Sequence, residues 1–307
     1  RLATEILAAL GSLAAASGPE LVAADAPALL SNIGGLLSRK EVTEDRALLR
    51  ATHTALTKLG GAAPSACAPV FSSLMPALLA SATIEVDFNL EKVEVQEDDE
   101  RDDGWETQYF QNKGRGMLKL RVNASQMDEK LLAIEALYTY AAALGSAFHP
   151  AVRPLVEACL PTLTYRFSDK ARGWAACALA ESYKCIVLAA AENTAGMTMA
   201  HAAELLPVIL KPLSEQLNKE ESLEAADSLL EAMYEILVLE RTHHVGAFTG
   251  QAALSGILQL LKRQMHLDEK RLKARAEAAA DRDEDEAADE EDEEAEEQEG
   301  ELLSTCT

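Results

Sequence analysis

The sequence predicts an all-α fold, a solenoid of stacked antiparallel helix pairs, interrupted by one β-ribbon that carries an acidic loop. Three observations lead there. Alanine and leucine dominate a chain that is 48% hydrophobic but only 5% aromatic, and these two residues lose least on entering a helix, whereas strands favour β-branched and aromatic side chains. A glycine and two prolines recur at fixed offsets: Gly60, Pro69 and Pro76 in GGAAPSACAPVFSSLMPALL, then Gly145, Pro154 and Pro161 in GSAFHPAVRPLVEACLPTLT, with Gly18 and Pro27 repeating the first offset. Finally, residues 83–126 leave the helical period, and the step from Gly60 to Gly145 is about twice that from Gly18 to Gly60, so one repeat has been lengthened by an insertion.

Residues 1–17 read as the inner, second helix of a repeat whose first helix is missing. The chain opens at Arg1, without an initiator methionine and already inside a helical pattern, so it is expected to be a fragment. Outer helices follow at 19–38, 64–81, 148–166, 199–218 and 246–280, and inner helices at 43–61, 127–145, 169–192 and 220–241. Proline bends a helix from its interior, so the recurring prolines predict outer helices curved alike. SDKARGWAACALAESYKCIVLAAA opens the inner helix at 169–192, with Ser168 or Asp169 as N-cap and Arg172 three residues past Asp169. That join resembles the Asp- and Arg-bearing turn of HEAT repeats, whose helix pairs cannot bury their apolar faces alone and must stack. The solenoid then spans 1–280, with 281–307 as a disordered acidic tail.

The insertion begins with IEVDFNLE, in which Ile84, Val86, Phe88 and Leu90 alternate with Glu85, Asp87, Asn89 and Glu91, the period of a strand. The phase slips at Lys92, which predicts a bulge or an end there. GMLKLRV alternates again, so a two-stranded ribbon is expected, with the acidic run and GWETQYFQNKGRG as its long tip. A ribbon is marginal alone, and its apolar face should lie on neighbouring helices.

The net charge of −23 is concentrated in two segments. Residues 281–301, with Asp283, Asp285, Asp289 and Asp292 among them, hold fifteen acids against one arginine, and residues 94–106 hold eight against one, which leaves the rest nearly neutral. Phosphate backbones would be repelled, so nucleic acid is excluded as a partner and basic protein surfaces are the counterpart. The tail lacks the apolar residues needed to offset chain entropy. Within the insertion, Asp98, Asp99, Asp102 and Asp103 precede Trp105 and Glu106, and the tryptophan has two readings. It pins the acidic loop by packing on nearby helices, or it stands exposed as an anchor for a partner.

No catalytic or metal motif survives inspection. Asp98-Asp99-Glu100-Arg101-Asp102 matches the DDxxD of helical terpene synthases, but the upstream flank alternates like a strand and Gly104 follows almost at once. An EF-hand loop starting at Asp99 would put Arg101 third and Phe110 twelfth, where a carboxylate is required. His243-His244 lacks further ligands at zinc spacing, and no serine or cysteine sits in a nucleophile motif. The chain is therefore expected to have no enzymatic activity and no cofactor. Cys67, Cys159, Cys177, Cys185 and Cys306 form no CxxC pair, which fits buried reduced thiols of a cytosolic or nuclear protein. No apolar run approaches the roughly eighteen residues of a membrane span, so membrane insertion is not expected.

In ESLEAADSLLEAMYEILVLE, the acids Glu224, Asp227, Glu231 and Glu235 fall within one narrow arc of the helix, opposite Ala226, Leu229, Leu230, Met233, Ile236 and Leu237. This carboxylate ridge is either a solvated face or a docking ridge for lysines and arginines on the concave surface, extended by Glu129, Glu135 and Glu181 of neighbouring inner helices.

The chain resembles nuclear transport receptors of the importin-β (karyopherin-β) superfamily, in particular the importin-five branch. The similarity runs over nearly the whole sequence. Asp102-Asp103-Gly104-Trp105-Glu106 matches that branch's DDGWE and follows LMPALLASATIEV, and DEKLLAIEALYTYAAALGSAFHPAVRPLVEACLPTLTYRFSDKARGWAACALAESY resembles the repeats after it. The resemblance implies a central piece of a receptor that shuttles between cytoplasm and nucleus, passes nucleoporins, carries basic cargo such as ribosomal proteins and histones, and releases it to the GTP form of Ran. It also implies cargo contacts at acidic and aromatic positions of inner helices, and a main Ran site in amino-terminal repeats outside this chain. The alternative is a HEAT scaffold that assembles a phosphatase or chromatin complex.

Overall fold

A computed structural model describes residues 1–93, 104–112 and 116–245, together with positions 262, 265, 266, 269, 270, 272 and 273. The chain divides into two compact units, Arg1–Cys159 and Leu160–Thr307.

In the first unit, α1 (Leu2–Ser17), α2 (Pro19–Val22), α3 (Ala26–Gly34), α4 (Lys40–Thr43), α5 (Arg46–Ala62), α6 (Pro64–Ala82), β1 (Phe88–Val93), β2 (Trp105–Asn112), β3 (Gly116–Asn123) and α7 (Ala124–Leu144) follow in order, and α8 (His149–Thr162) runs through the boundary. Helices α1, α5 and α7 pack side by side as an inner layer, and α3 packs on α6 as an outer one. Two of these inner helices, α5 and α7, start where a short polar side chain caps the first turn: Asp45 accepts from the Leu48 N–H and Asn123 from the Gln126 N–H. Between the layers lies an aromatic core, with the Phe71 ring centroid 5.1 Å from those of both Tyr140 and Phe148.

The recurring glycine has a packing reason at Gly60, where an added Cβ would lie 2.1 Å from Cε1 of Tyr140, whose hydroxyl donates to the Leu56 carbonyl at 3.0 Å. At Gly145 the reason is conformational, since a φ of 52° ends α7. Pro69 and Pro76 lie inside α6 as expected. The single outer helix expected at 19–38 is instead broken into α2, α3 and a 3-10 turn, Gly35–Ser38. Pro19 and Pro27 each sit in the first turn of their own helix, where the missing N–H costs nothing, so Pro27 starts a helix rather than bending one.

The insertion is a three-stranded antiparallel sheet in the order β1-β3-β2, not a two-stranded ribbon. GWETQYFQN, expected as loop, supplies β2, whose Thr, Tyr and Phe suit an extended backbone. It pairs with β3 from Trp105↔Asn123 to Asn112↔Gly116. Strand β1 begins at Phe88; just before it, the Asp87 carbonyl still accepts from the Asn123 N–H of β3 at 2.9 Å, while the Asp87 N–H donates to Gln126 Oε1 at 2.7 Å and its carboxylate accepts from Gln126 Nε2 at 2.9 Å. The pairing runs without a bulge through Lys92↔Leu118 to Val93↔Met117, where the described strand ends. Of the predicted apolar face, Val86 is buried, but Phe88 and Leu90 are 56% and 50% exposed, so that face does not lie on helices throughout.

The second unit contains α9 (Asp169–Ala191), α10 (Met199–Leu217) and α11 (Leu223–His243). Inner helices α9 and α11 pack along each other, and α10 packs on both. Ser168 and Ser222 cap the inner helices by accepting from the N–H groups of Ala171 and Ala225. Interior prolines recur in α10, at Pro207 and Pro212. Arg172 and Asp169 reach the next turn rather than each other: Arg172 donates to both oxygens of Glu220 at 2.6 Å and to the Tyr165 carbonyl at 2.9 Å, while Asp169 accepts from the Ser222 hydroxyl at 3.1 Å. Of the outer helix expected at 246–280, the described positions Lys262, Met265, His266, Glu269, Lys270, Leu272 and Lys273 are helical, and the rest lies outside the described residues.

Contrary to the hydropathy expectation, three segments reach the length and apolar character of a membrane span: Pro64–Ala82, Ala124–Thr162 and Asp169–Ala191. Alanine raises their hydropathy without forming one unbroken apolar run. An all-round apolar helix has two outlets, a protein core or a bilayer, and α9 buries two thirds of its window inside the protein.

Candidate acidic binding face

The ridge of α11 forms in the second unit as expected. Glu224, Glu231 and Glu235 are exposed and Asp227 is half-buried, while Ala226, Leu229, Leu230, Met233 and Ile236 are buried. One oxygen of Asp227, Oδ1, is buried without a hydrogen-bond partner. Glu181 of α9 behaves differently from the ridge: it is 3% exposed and lies against Lys184, whose ammonium is 3.0 Å from Oε1 and donates to Oε2 at 3.1 Å.

Besides Glu181, which the sequence reading named, helix α9 brings to this face Trp174, Cys177 and Lys184, which it did not. Trp174, Cys177, Glu181 and Lys184 follow at helical spacing along one side of α9, the same signal that revealed the ridge on α11. Trp174 and Cys177 join Asp169, Lys170, Glu224 and Ser228 around a cleft of about 360 Å3. Gly173 forms its floor, because a Cβ there would come 2.8 Å from the Ser228 hydroxyl, so the two helices approach closely. On α11, Tyr234 and Val238 are 64% and 43% exposed beside Glu231 and Glu235.

The electrostatics of this face follow from crowding like charges. Burial, then the charges of Glu181 and Glu231, push the Glu235 carboxyl above its ordinary value, with Lys184 opposing. Burial, together with Glu231, Glu235 and Asp227, pushes the Cys177 thiol up to about 11, so the thiolate is suppressed where it would be reactive. Burial pushes the Lys184 ammonium down, but its hydrogen bond to Glu181 and the charges of Glu181 and Glu235 outweigh this and raise it. A cation arriving here relieves repulsion among the carboxylates. Of the other cysteines, Cys67, Cys159 and Cys185 are buried free thiols, and Cys306 lies outside the described residues.

The two expected extensions in the first unit have other surroundings. Glu129 accepts a 2.6 Å hydrogen bond from the Ser81 hydroxyl at the end of α6. Glu135 is half-buried, and burial raises its carboxyl. Trp105 is half-buried at the start of β2, with the Arg121 guanidinium 5.4 Å from its ring, so β3 supports the indole. Glu106 is exposed, 3.8 Å from Arg46. Asp98, Asp99, Asp102 and Asp103, and the tail acids Asp283, Asp285, Asp289 and Asp292, lie outside the described residues.

Among solved structures, Kap121p matches with a TM-score of 0.63 and 18% identity, over 96% of this chain and 26% of that one. The fold is similar to that of a karyopherin. Kap121p bound to Nup53p gives a TM-score of 0.62 at 18% identity over 94% of this chain and 24% of that one. Kap121p bound to RanGTP gives 0.61 at 17% over 99% and 27%. The present chain thus spans about a quarter of the length of those proteins and has their HEAT-repeat solenoid fold, with the small sheet as an insertion. No protein-family model and no curated protein matches the sequence.

Proposed function

We propose that this chain is a segment of a nuclear import receptor of the importin-five branch, and that the α9–α11 face binds basic segments of cargo proteins. The observation that carries the reading is the carboxylate row Glu224, Asp227, Glu231 and Glu235 on α11, with Trp174 of α9 sharing a cleft with Glu224. Carboxylates attract lysine and arginine head groups, and an indole accepts their aliphatic stems or stacks under a cation. Kap121p, whose fold the chain shares, has been crystallised with Pho4p, Nup53p and RanGTP. That supports cargo, nucleoporin and Ran as partner kinds of the longer protein, with release of cargo by the GTP form of Ran and shuttling between cytoplasm and nucleus. Histones and ribosomal proteins fit as cargo through their lysine-rich segments. The chemistry needs no catalytic group and no cofactor.

Titrating a fluorescent lysine-rich peptide at rising salt tests the proposal. Affinity should fall steeply with salt, because exposed ion pairs are screened within about 8 Å at physiological ionic strength. Absence of binding at low salt refutes it.

A further inference from the structure

In a chain of net charge −23, the groove between α1 and α5 in the first unit has the opposite sign. It is a cleft of about 660 Å3, lined by Thr4 and Ser12 of α1 and by Arg46, Arg50, Thr54 and Lys58 of α5. Asp128 of α7 accepts from Arg46 Nε and Arg50 Nη2, both at 2.6 Å. The only further carboxylate recorded against these cations among the described residues is that of Glu106, 3.8 Å from Arg46 and 68% exposed. Among the described residues Lys58 has a neutral partner, donating to the Ser12 hydroxyl at 3.3 Å. Lys58 is exposed, and Arg50, although its Nη2 lies on Asp128, is exposed too and keeps further guanidinium N–H donors for a ligand.

The spacing of the cations defines the ligand. Arg46 and Arg50 are one helical turn apart, about 6 Å, and Lys58 lies two turns further, about 12 Å. No single phosphate-sized ion spans that row. An extended chain advances about 3.3 Å per residue with alternate side chains on one face, so carboxylates at positions i, i+2 and i+6 would meet the three cations in turn. The hydroxyls of Thr4, Ser12 and Thr54 offer the hydrogen-bonding partners that an extended backbone needs.

We propose that the α1–α5 groove binds an acidic, extended peptide segment of a partner protein. This goes beyond the import reading, since the partner carries the charge opposite to basic cargo, and it stands whether or not the α9–α11 face binds cargo.

The test uses fluorescence anisotropy on the 307-residue chain with a labelled peptide that carries glutamates at the first, third and seventh positions. Wild type should bind in a salt-sensitive manner. Arg50→Gln with Lys58→Gln removes two cations while leaving Arg46 on Asp128, and should weaken binding about three- to tenfold with an unchanged circular-dichroism melt. A scrambled peptide with the same glutamates clustered at one end should bind less tightly than the spaced one. Equal affinity of wild type and the double variant overturns the proposal, as does failure of wild type to bind. Binding that appears only after Asp98, Asp99, Asp102 and Asp103 are changed to asparagine would also overturn it, by assigning the groove to the chain's own acidic run.

Discussion

Arg172→Met should destabilise the second unit by about 3–5 kcal/mol at neutral pH, because it strands a buried charge. Arg172 and Glu220 have side chains only 12% and 2% exposed. Burial pushes the Glu220 carboxyl up, but the Arg172 hydrogen bonds, the Ser222 N–H, the Gln216 amide and the Arg172 charge outweigh it and hold the carboxyl below its ordinary value. In wild type, Glu220 therefore contributes stability that is present above its unfolded pKa and lost as pH falls through the depressed folded value. Without Arg172, burial is left as the largest influence and raises the carboxyl, so the sign inverts. The variant should then lose stability as pH rises above the ordinary carboxylate range, where wild type does not. Arg172→Met combined with Glu220→Gln removes both charges and should cost only about 1–2 kcal/mol, since Gln still accepts from the Ser222 N–H. Urea unfolding followed by Trp174 fluorescence, in a Trp105→Phe background and between pH 5 and 7, reads all three proteins. A cost under about 1 kcal/mol for the single variant, or a double variant no more stable than the single, would refute the reasoning.

Three further outcomes follow from buried groups. His53 is fully buried with neither ring nitrogen hydrogen-bonded, and burial lowers it from 6.5 to about 4; stability should fall as pH drops from about 6.5 to 4, by about 1.4 kcal/mol per unit. His53→Leu should flatten that slope in urea titrations, and an unchanged slope contradicts the assignment. Gly60→Ala drives a methyl into Tyr140 and should cost about 1–3 kcal/mol in a thermal melt, with partial recovery when Tyr140→Leu is added. Arg121→Gln removes the support of Trp105, so in a Trp174→Phe background its emission should shift to the red and quench more readily with acrylamide; unchanged emission argues that the indole is held elsewhere.

The inner helices were legible because apolar residues recur in them at helical spacing, and at α9 because Ser168 marks the start, whereas the caps Asn123 and Ser222 emerged only in the structure. The break at residues 23–25 was not, because Pro27 shares its offset with Pro69, and the offset alone does not say whether proline opens a helix or sits within it. Strand β2 was hidden by its flanks: the acidic run before Gly104 and the glycines at 114 and 116 read as loop, although Trp105, Thr107, Tyr109 and Phe110 carry strand chemistry. The ridge on α11 was visible from periodicity alone. Of its neighbour on α9 only Glu181 was read, since its burial against Lys184 and the close approach at Gly173 depend on which side α9 turns toward α11.

Basic segments held on the α9–α11 face would be held through Asp227, Glu231 and Glu235. Calorimetric titration of one lysine-rich peptide against wild type and against Asp227→Asn, Glu231→Gln, Glu235→Gln combined tests it most directly. The dissociation constant of the triple variant should be raised about tenfold or more, with the difference shrinking as salt rises. Equal affinity of the two proteins would contradict it.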